Sequence, residues 1–260
     1  MQASSSKELE ITEPVLEVEG LSVVRSGNLI ISDINLNIRS GEFVGIVGPN
    51  GSGKTTLLLS ILGILKENSG QIRIYGKLPM SKHLDGKISW VSQAASNLPS
   101  NLRLTVRELV KLGTISSHNM FSLRRDDEIV DKAIKMVRLK DVENTDIGRL
   151  SGGQRQRAVI ARALASQADF IILDEPLVGI DREARSSLLK LLDDLCHDSG
   201  KTILMVSHDL AAIRQTAHRM IYLEETIKFD GDTNKFPKLT ELAELRGIKP
   251  VHDDSHDHQH

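Results

Sequence analysis

"EFVGIVGPNGSGKTTLLLSILGIL", Glu42 to Leu65, decides the fold. "EFVGIVG" is a short apolar run that stops at Gly48, as a buried strand does. From Lys54, "KTTLLLSILGIL" has helical length and apolar density. Strand, glycine-rich loop and helix are together the context that a phosphate-binding loop requires. Gly48, Gly51 and Gly53 allow backbone conformations that turn several N–H groups inward around phosphate oxygens. Lys54 then reaches the β- and γ-phosphates, and Thr55 offers its hydroxyl to Mg²⁺. Pro49, Asn50, Ser52 and Thr56 complete the cradle.

Upstream, "VLEVEGLSVV" from Val15 and "IISDINLNI" alternate or nearly alternate, predicting antiparallel strands joined through "RSGN". Downstream, "QIRIYG" and "KISWVSQ" read as strands, and Thr105 to Arg149 turns helical. The stretch of about 93–149 is therefore a helical subdomain inserted into the core. Helix "RQRAVIARALA" and strand "DFIILDE" follow, then helix "REARSSLLKLLDDLC", strand "KTILMVS", helix "DLAAIRQTA" and strand "RMIYLE". This alternation predicts an α/β fold with a largely parallel sheet covered on both faces. The expected organisation is a flexible segment over 1–14, the folded domain over 15–236, a helix over 237–250 and a polar tail over 251–260.

Bulk composition narrows the function. Lys plus Arg (33) nearly balance Asp plus Glu (35), so no strong field points to nucleic acid as a partner. No apolar run reaches the ~18 residues of a membrane-spanning helix, and the N-terminus has no secretory pattern. The single cysteine, Cys196, lies among leucines and is expected to be buried packing.

Three further constellations bear on chemistry. "FIILDEP" ends an apolar strand on two acids, at the edge where open α/β sheets bind ligands. Neighbouring strand residues point opposite ways, so Asp174 and Glu175 divide the work. Asp174 suits the Mg²⁺ shell, and Glu175 suits a base for attacking water. "LSGGQRQR", from Leu150, gives Ser151 and Gln154 capping-box spacing, with Gly152 and Gly153 leaving the amides of a helix start bare for an anion. Gln93 and His208 each follow a predicted strand.

The order Gly48–Thr56, Gln93, Leu150–Gln154, Ile171–Glu175, Asp181, His208 resembles the ATP-binding-cassette ATPases from about Val15 to Phe236. "LSGGQ" is that family's signature and is far more specific than the phosphate loop. The resemblance implies a P-loop nucleotide-binding core with an antiparallel β subdomain and an inserted α-helical subdomain. It implies ATP and Mg²⁺, with two copies paired head to tail as a homodimer holding ATP at the interface. Ser151, Gly152, Gly153 and Gln154 then face the γ-phosphate bound by the other copy. Gln93 links Mg²⁺ and attacking water to the helical subdomain, Asp181 shapes the interface, and His208 holds the γ-phosphate. The family stacks adenine on an aromatic residue near the first hairpin, where this chain offers Arg25, whose guanidinium also stacks on a base. Leu177 and Val178 stand where a small polar pair is usual.

With one cassette, no membrane helix and no long coiled coil, the chain is similar to the separate energy-supplying subunits that dock beneath membrane permeases. That places it at the cytoplasmic face of the cell membrane, as a peripheral subunit, with an extracytoplasmic solute-binding protein as an indirect partner. "TILMVSHDLAAIRQTAHRMIYL" and "TVRELVKLG" look most like subunits of zinc, manganese or iron importers. Ferric-siderophore and cobalamin importers are close in pattern, and a soluble cassette of iron–sulfur cluster assembly is the alternative from another class. The tail "VHDDSHDHQH" holds four of the nine histidines, interleaved with aspartates, and suits loose binding of a transition metal.

Overall fold

The computed structural model describes residues 14–96, 103–115 and 123–237. All but the first residue of the expected helix over 237–250 lies outside the described residues, as do the histidine-rich tail and nearly all of the expected flexible segment.

The chain opens with β1 (Pro14–Arg25) and β2 (Asn28–Arg39), an antiparallel hairpin turning at Ser26 and Gly27. β1 also pairs antiparallel with β4 (Ser69–Ile74), giving a three-stranded sheet of order β2-β1-β4. Between them in sequence lie β3 (Phe43–Val47) and α1 (Lys54–Ile61), which belong to the second sheet and its cover. That sheet has six strands in the order β5-β6-β7-β3-β8-β9. Its members are β5 (Ile88–Val91), β6 (Phe170–Asp174), β7 (Thr202–Ser207), β8 (Arg219–Glu224) and β9 (Thr226–Asp232), with β3 at an inner position. All neighbours run parallel except β8 and β9.

The apolar runs become central strands because both of their faces are buried. Phe43 and Val47 of β3, Ile171 and Leu173 of β6, and Ile203 and Met205 of β7 enter one core. Their alternates Val44, Ile46, Phe170, Ile172, Leu204 and Val206 enter another. The first core lies under α2 (Val106–Lys111), α3 (Leu123–Met136), α4 (Gly152–Ala165), α5 (Arg182–Ser199) and α6 (Leu210–Thr216). The second is closed by α1 and the three-stranded sheet. α2 and α3 pack Val106, Leu109, Val110, Val130 and Ile134 toward the apolar face of α4, forming the helical subdomain. Cys196 is buried in the first core, where desolvation pushes its thiol up to about 12.

Two features differ from the sequence reading. α1 stops at Ile61 rather than Leu65, because Gly63 takes a left-handed φ of 71° and ends the helix as a glycine at that position does. β9 was not anticipated, since an edge strand with alternately exposed residues shows little apolar signal. Among the described residues, no helix is long and apolar enough to cross a membrane.

Candidate functional site

The parallel strands β3, β6 and β7 end at the same edge of the sheet, and the segments that leave them carry Gly48–Thr56, Glu175 and His208. A cavity of about 700 Å³ opens there. Its walls include Asn50, Gly51, Gly53, Lys54, Thr55 and Thr56 from the loop, with Gln93, Glu175 and His208. The β1–β2 hairpin contributes Arg25, Ser26 and Ile30 from the other sheet.

The N-cap of α1 is Gly53, which has φ 96° and provides no side-chain cap. A Cβ at this position would lie 2.3 Å from the Ile31 side chain, so glycine is required by both conformation and space. By contrast α2, α4, α5 and α6 are each capped by the side chain of their own N-cap residue. The first-turn N–H groups of α1 are thus left for a ligand, and a helix N-terminus favours an anion. Lys54 Nζ donates to the carbonyls of Gly48 and Pro49, both at 2.8 Å, and is held across the loop. Burial lowers its pKa, opposed by the charges of Glu175 and Asp174. A cation held in this way gains most from a bound polyanion.

Glu175 reaches the cavity by a route the sequence did not reveal. β6 ends at Asp174, and Glu175 takes a left-handed φ of 50° immediately after it. The two acids are therefore separated by a sharp turn of the backbone, and not by alternation along one strand. Glu175 accepts from His208 Nδ1 at 2.9 Å and from Ser207 Oγ at 3.4 Å. Asp174 is 6 % exposed and does not line the cavity. Burial raises its pKa, the Glu175 charge adds to this, and Lys54 opposes. The available donors for a cation are the Thr55 hydroxyl, the Gln93 amide oxygen and the Asp174 carboxylate. Oxygen ligands of this kind suit Mg²⁺.

Ser151, Gly152, Gly153, Gln154 and Asp181 do not line this cavity. Ser151 Oγ accepts from the Gln154 amide at 3.2 Å, and Gln154 Oε1 accepts from the Ser151 amide at 3.0 Å, completing a capping box. Asp181 caps α5 through the Ala184 amide at 2.9 Å. The two helix starts are packed together: a Cβ at Gly153 would lie 2.5 Å from Ala184 Cβ, and one at Gly152 would lie 2.9 Å from the Gly179 carbonyl. The glycines thus permit close packing as well as exposing amides. Gly48, Pro49 and Ser52 of the same loop do not line the cavity.

Sequence reasoning missed Ser26, Ile30 and Val178 as wall residues. Val178 is exposed on the rim, whereas its neighbour Leu177 is buried in the first core, so the apolar pair divides between site and packing. Elsewhere, Asp193, His197 and His218 meet on the surface. His218 Nδ1 accepts from the Phe43 amide at 3.2 Å, which puts the proton of the neutral ring on Nε2, facing Asp193. That ring nitrogen is accordingly not presented as a metal ligand.

The model of the ABC transporter family matches residues 31–178. The zinc uptake system ATP-binding protein ZurA of Listeria innocua is 37% identical over 224 residues, covering 85% of this chain and 87% of that protein. The manganese transport system ATP-binding protein MntB of the same organism is 34% identical over 238 residues, covering 91% and 98%. Among solved structures, an ATP-binding cassette in a dimeric post-hydrolysis state bound to ADP and Pi superimposes with a TM-score of 0.70 at 30% identity, covering 85% of this chain and 100% of that one. With its phosphate loop, strand-end acids and signature helix arranged on this two-sheet scaffold, the chain belongs to the ABC transporter family.

Proposed function

We propose that this chain is the ATP-hydrolysing subunit of a metal-ion importer, for zinc, manganese or iron, acting as a pair of copies on a separate membrane permease. The observation that carries the reading is the similarity to zinc and manganese uptake subunits over 85% and 91% of this chain, together with a cavity that gathers the phosphate loop, Gln93, Glu175 and His208.

The reaction follows from the side chains. The first-turn amides of α1 and Lys54 bind the triphosphate. Thr55, Gln93 and Asp174 would hold Mg²⁺, which would supply charge neutralisation to the phosphates. Water attacks the γ-phosphorus, Glu175 accepts its proton, and the bond to the β-phosphate oxygen breaks to give ADP and inorganic phosphate. His208 rests on Glu175. A neutral ring donating from Nδ1 has only an acceptor at Nε2, so gripping a phosphate oxygen requires the ring to leave Glu175 or to carry both protons. In the first case, arrival of the γ-phosphate frees the base.

The residues at the start of the signature helix do not line the cavity of their own chain. Ser151, Gly152, Gly153 and Gln154, supported from behind by Asp181 and α5, instead close on nucleotide held by a second copy. The pair works from the cytoplasmic face, with an extracytoplasmic binding protein delivering the ion to the permease.

Metal uptake measured ion by ion in cells lacking the chain tests the reading. Loss of uptake for zinc, manganese or iron, restored by the parental chain but not by Glu175→Gln, is expected. Unchanged uptake of all three ions excludes it.

A further inference from the structure

On the nucleotide-binding reading above, the phosphates occupy the part of the cavity formed by Lys54, Thr55, Glu175 and His208. The base then extends along the rest of the wall, which holds Arg25, Ser26 and Ile30 of the β1–β2 hairpin together with Asn50, Gln93 and Val178. Ile30 offers an apolar surface for one face of the ring. Arg25 is exposed and pairs with no described side chain, so its guanidinium is available to a ligand.

The chemistry of these groups is one-sided. Guanidinium carries five N–H donors and no acceptor. Adenine presents a donor, its amino group, at purine position 6, whereas guanine presents an acceptor there beside N7. Arginine pairs with those two acceptors in a bidentate manner. The Ser26 hydroxyl donates or accepts equally well and does not discriminate. No wall side chain of the hairpin is an acceptor dedicated to the adenine amino group.

We infer that the cavity selects its base through the oxygen at purine position 6, with Arg25 as the discriminating residue, so that GTP and ITP bind at least as tightly as ATP. ITP carries that oxygen without the 2-amino group of GTP and isolates the contact.

Calorimetric titration of the full chain with ATP, GTP and ITP in the presence of Mg²⁺ tests this. GTP and ITP are expected to match or exceed ATP in affinity. Arg25→Ala is expected to raise Kd for GTP and ITP by about three- to tenfold more than Kd for ATP, the range of one ordinary net hydrogen bond. Tighter binding of ATP than of both others overturns the inference alone. So does equal weakening of all three nucleotides by Arg25→Ala, which would leave Arg25 only a base-blind stacking role. GTP binding without ITP binding transfers recognition to the 2-amino group and also overturns it. Failure of all three to bind overturns the ATPase reading and this inference together.

Discussion

His208 Nδ1 stands 2.9 Å from Glu175 Oε2, so the residue that follows β7 holds the acid that follows β6. Glu175 is thereby oriented before any substrate arrives. Glu175→Gln keeps the shape and removes the base. Nucleotide affinity should persist, while phosphate release falls by about a hundredfold to ten-thousandfold, the usual cost of losing a positioned base. An ATP-bound dimer should accumulate on size exclusion. Turnover at the parental rate would falsify the assignment of Glu175.

Lys54 links two loop carbonyls and faces the cavity. Lys54→Ala removes charge-assisted hydrogen bonds worth about 1.5–3 kcal/mol, so ATP affinity should drop roughly ten- to a hundredfold. Binding, rather than turnover of bound nucleotide, is the quantity to measure. An unchanged Kd for ATP contradicts the role given to this lysine.

Burial of Asp174 makes stability depend on pH. Its folded pKa is raised, so the folded chain holds this proton more tightly than the unfolded chain does. Its contribution is complete below the ordinary aspartate value of 3.8 and is lost as pH climbs through the raised value. Asp174→Asn should therefore raise the melting temperature at neutral pH without nucleotide or metal, by about 2–4 °C for each kcal/mol recovered. It should also flatten the fall in stability above about pH 4. A lower melting temperature at neutral pH would show that the charged form is favoured by folding. ATPase activity should be lost in either case.

Gly153 and Ala184 join the starts of α4 and α5. Gly153→Ala forces the two β-carbons together and should cost about 1–3 kcal/mol of stability, as overpacking does. Adding Ala184→Gly should restore most of the loss in a denaturant titration. If the double variant is no more stable than Gly153→Ala alone, the contact is not the reason for the glycine.

The tail lies outside the described residues, but its composition is testable. Zinc titration of the full chain should show more bound equivalents than a version ending at Pro250. Equal stoichiometry removes any metal role for the tail.

Much of this architecture was legible because its signals are local. The run before Gly48 is apolar on both faces because β3 is buried on both, and the loop residues declare themselves by spacing. The capping box of Ser151 and Gln154 spans only one helical turn, and it forms as its spacing predicts. What stayed hidden is non-local or backbone-based. No pattern in "DEP" announces the left-handed Glu175, and Gly153 touches a residue thirty-one positions further on. Ile30 and Ser26 look like ordinary hairpin residues until the second sheet brings the loop beneath them. β9 pairs along one edge only and half exposes its residues, so its sequence carries little apolar signal.

The cavity takes Arg25, Ser26 and Ile30 from the three-stranded sheet and its floor from the loop of the six-stranded one. Whatever fills it acts as a splint across the seam between two separately hydrogen-bonded units. Resistance of the isolated chain to heat should then grow with the logarithm of ligand concentration, by mass action alone.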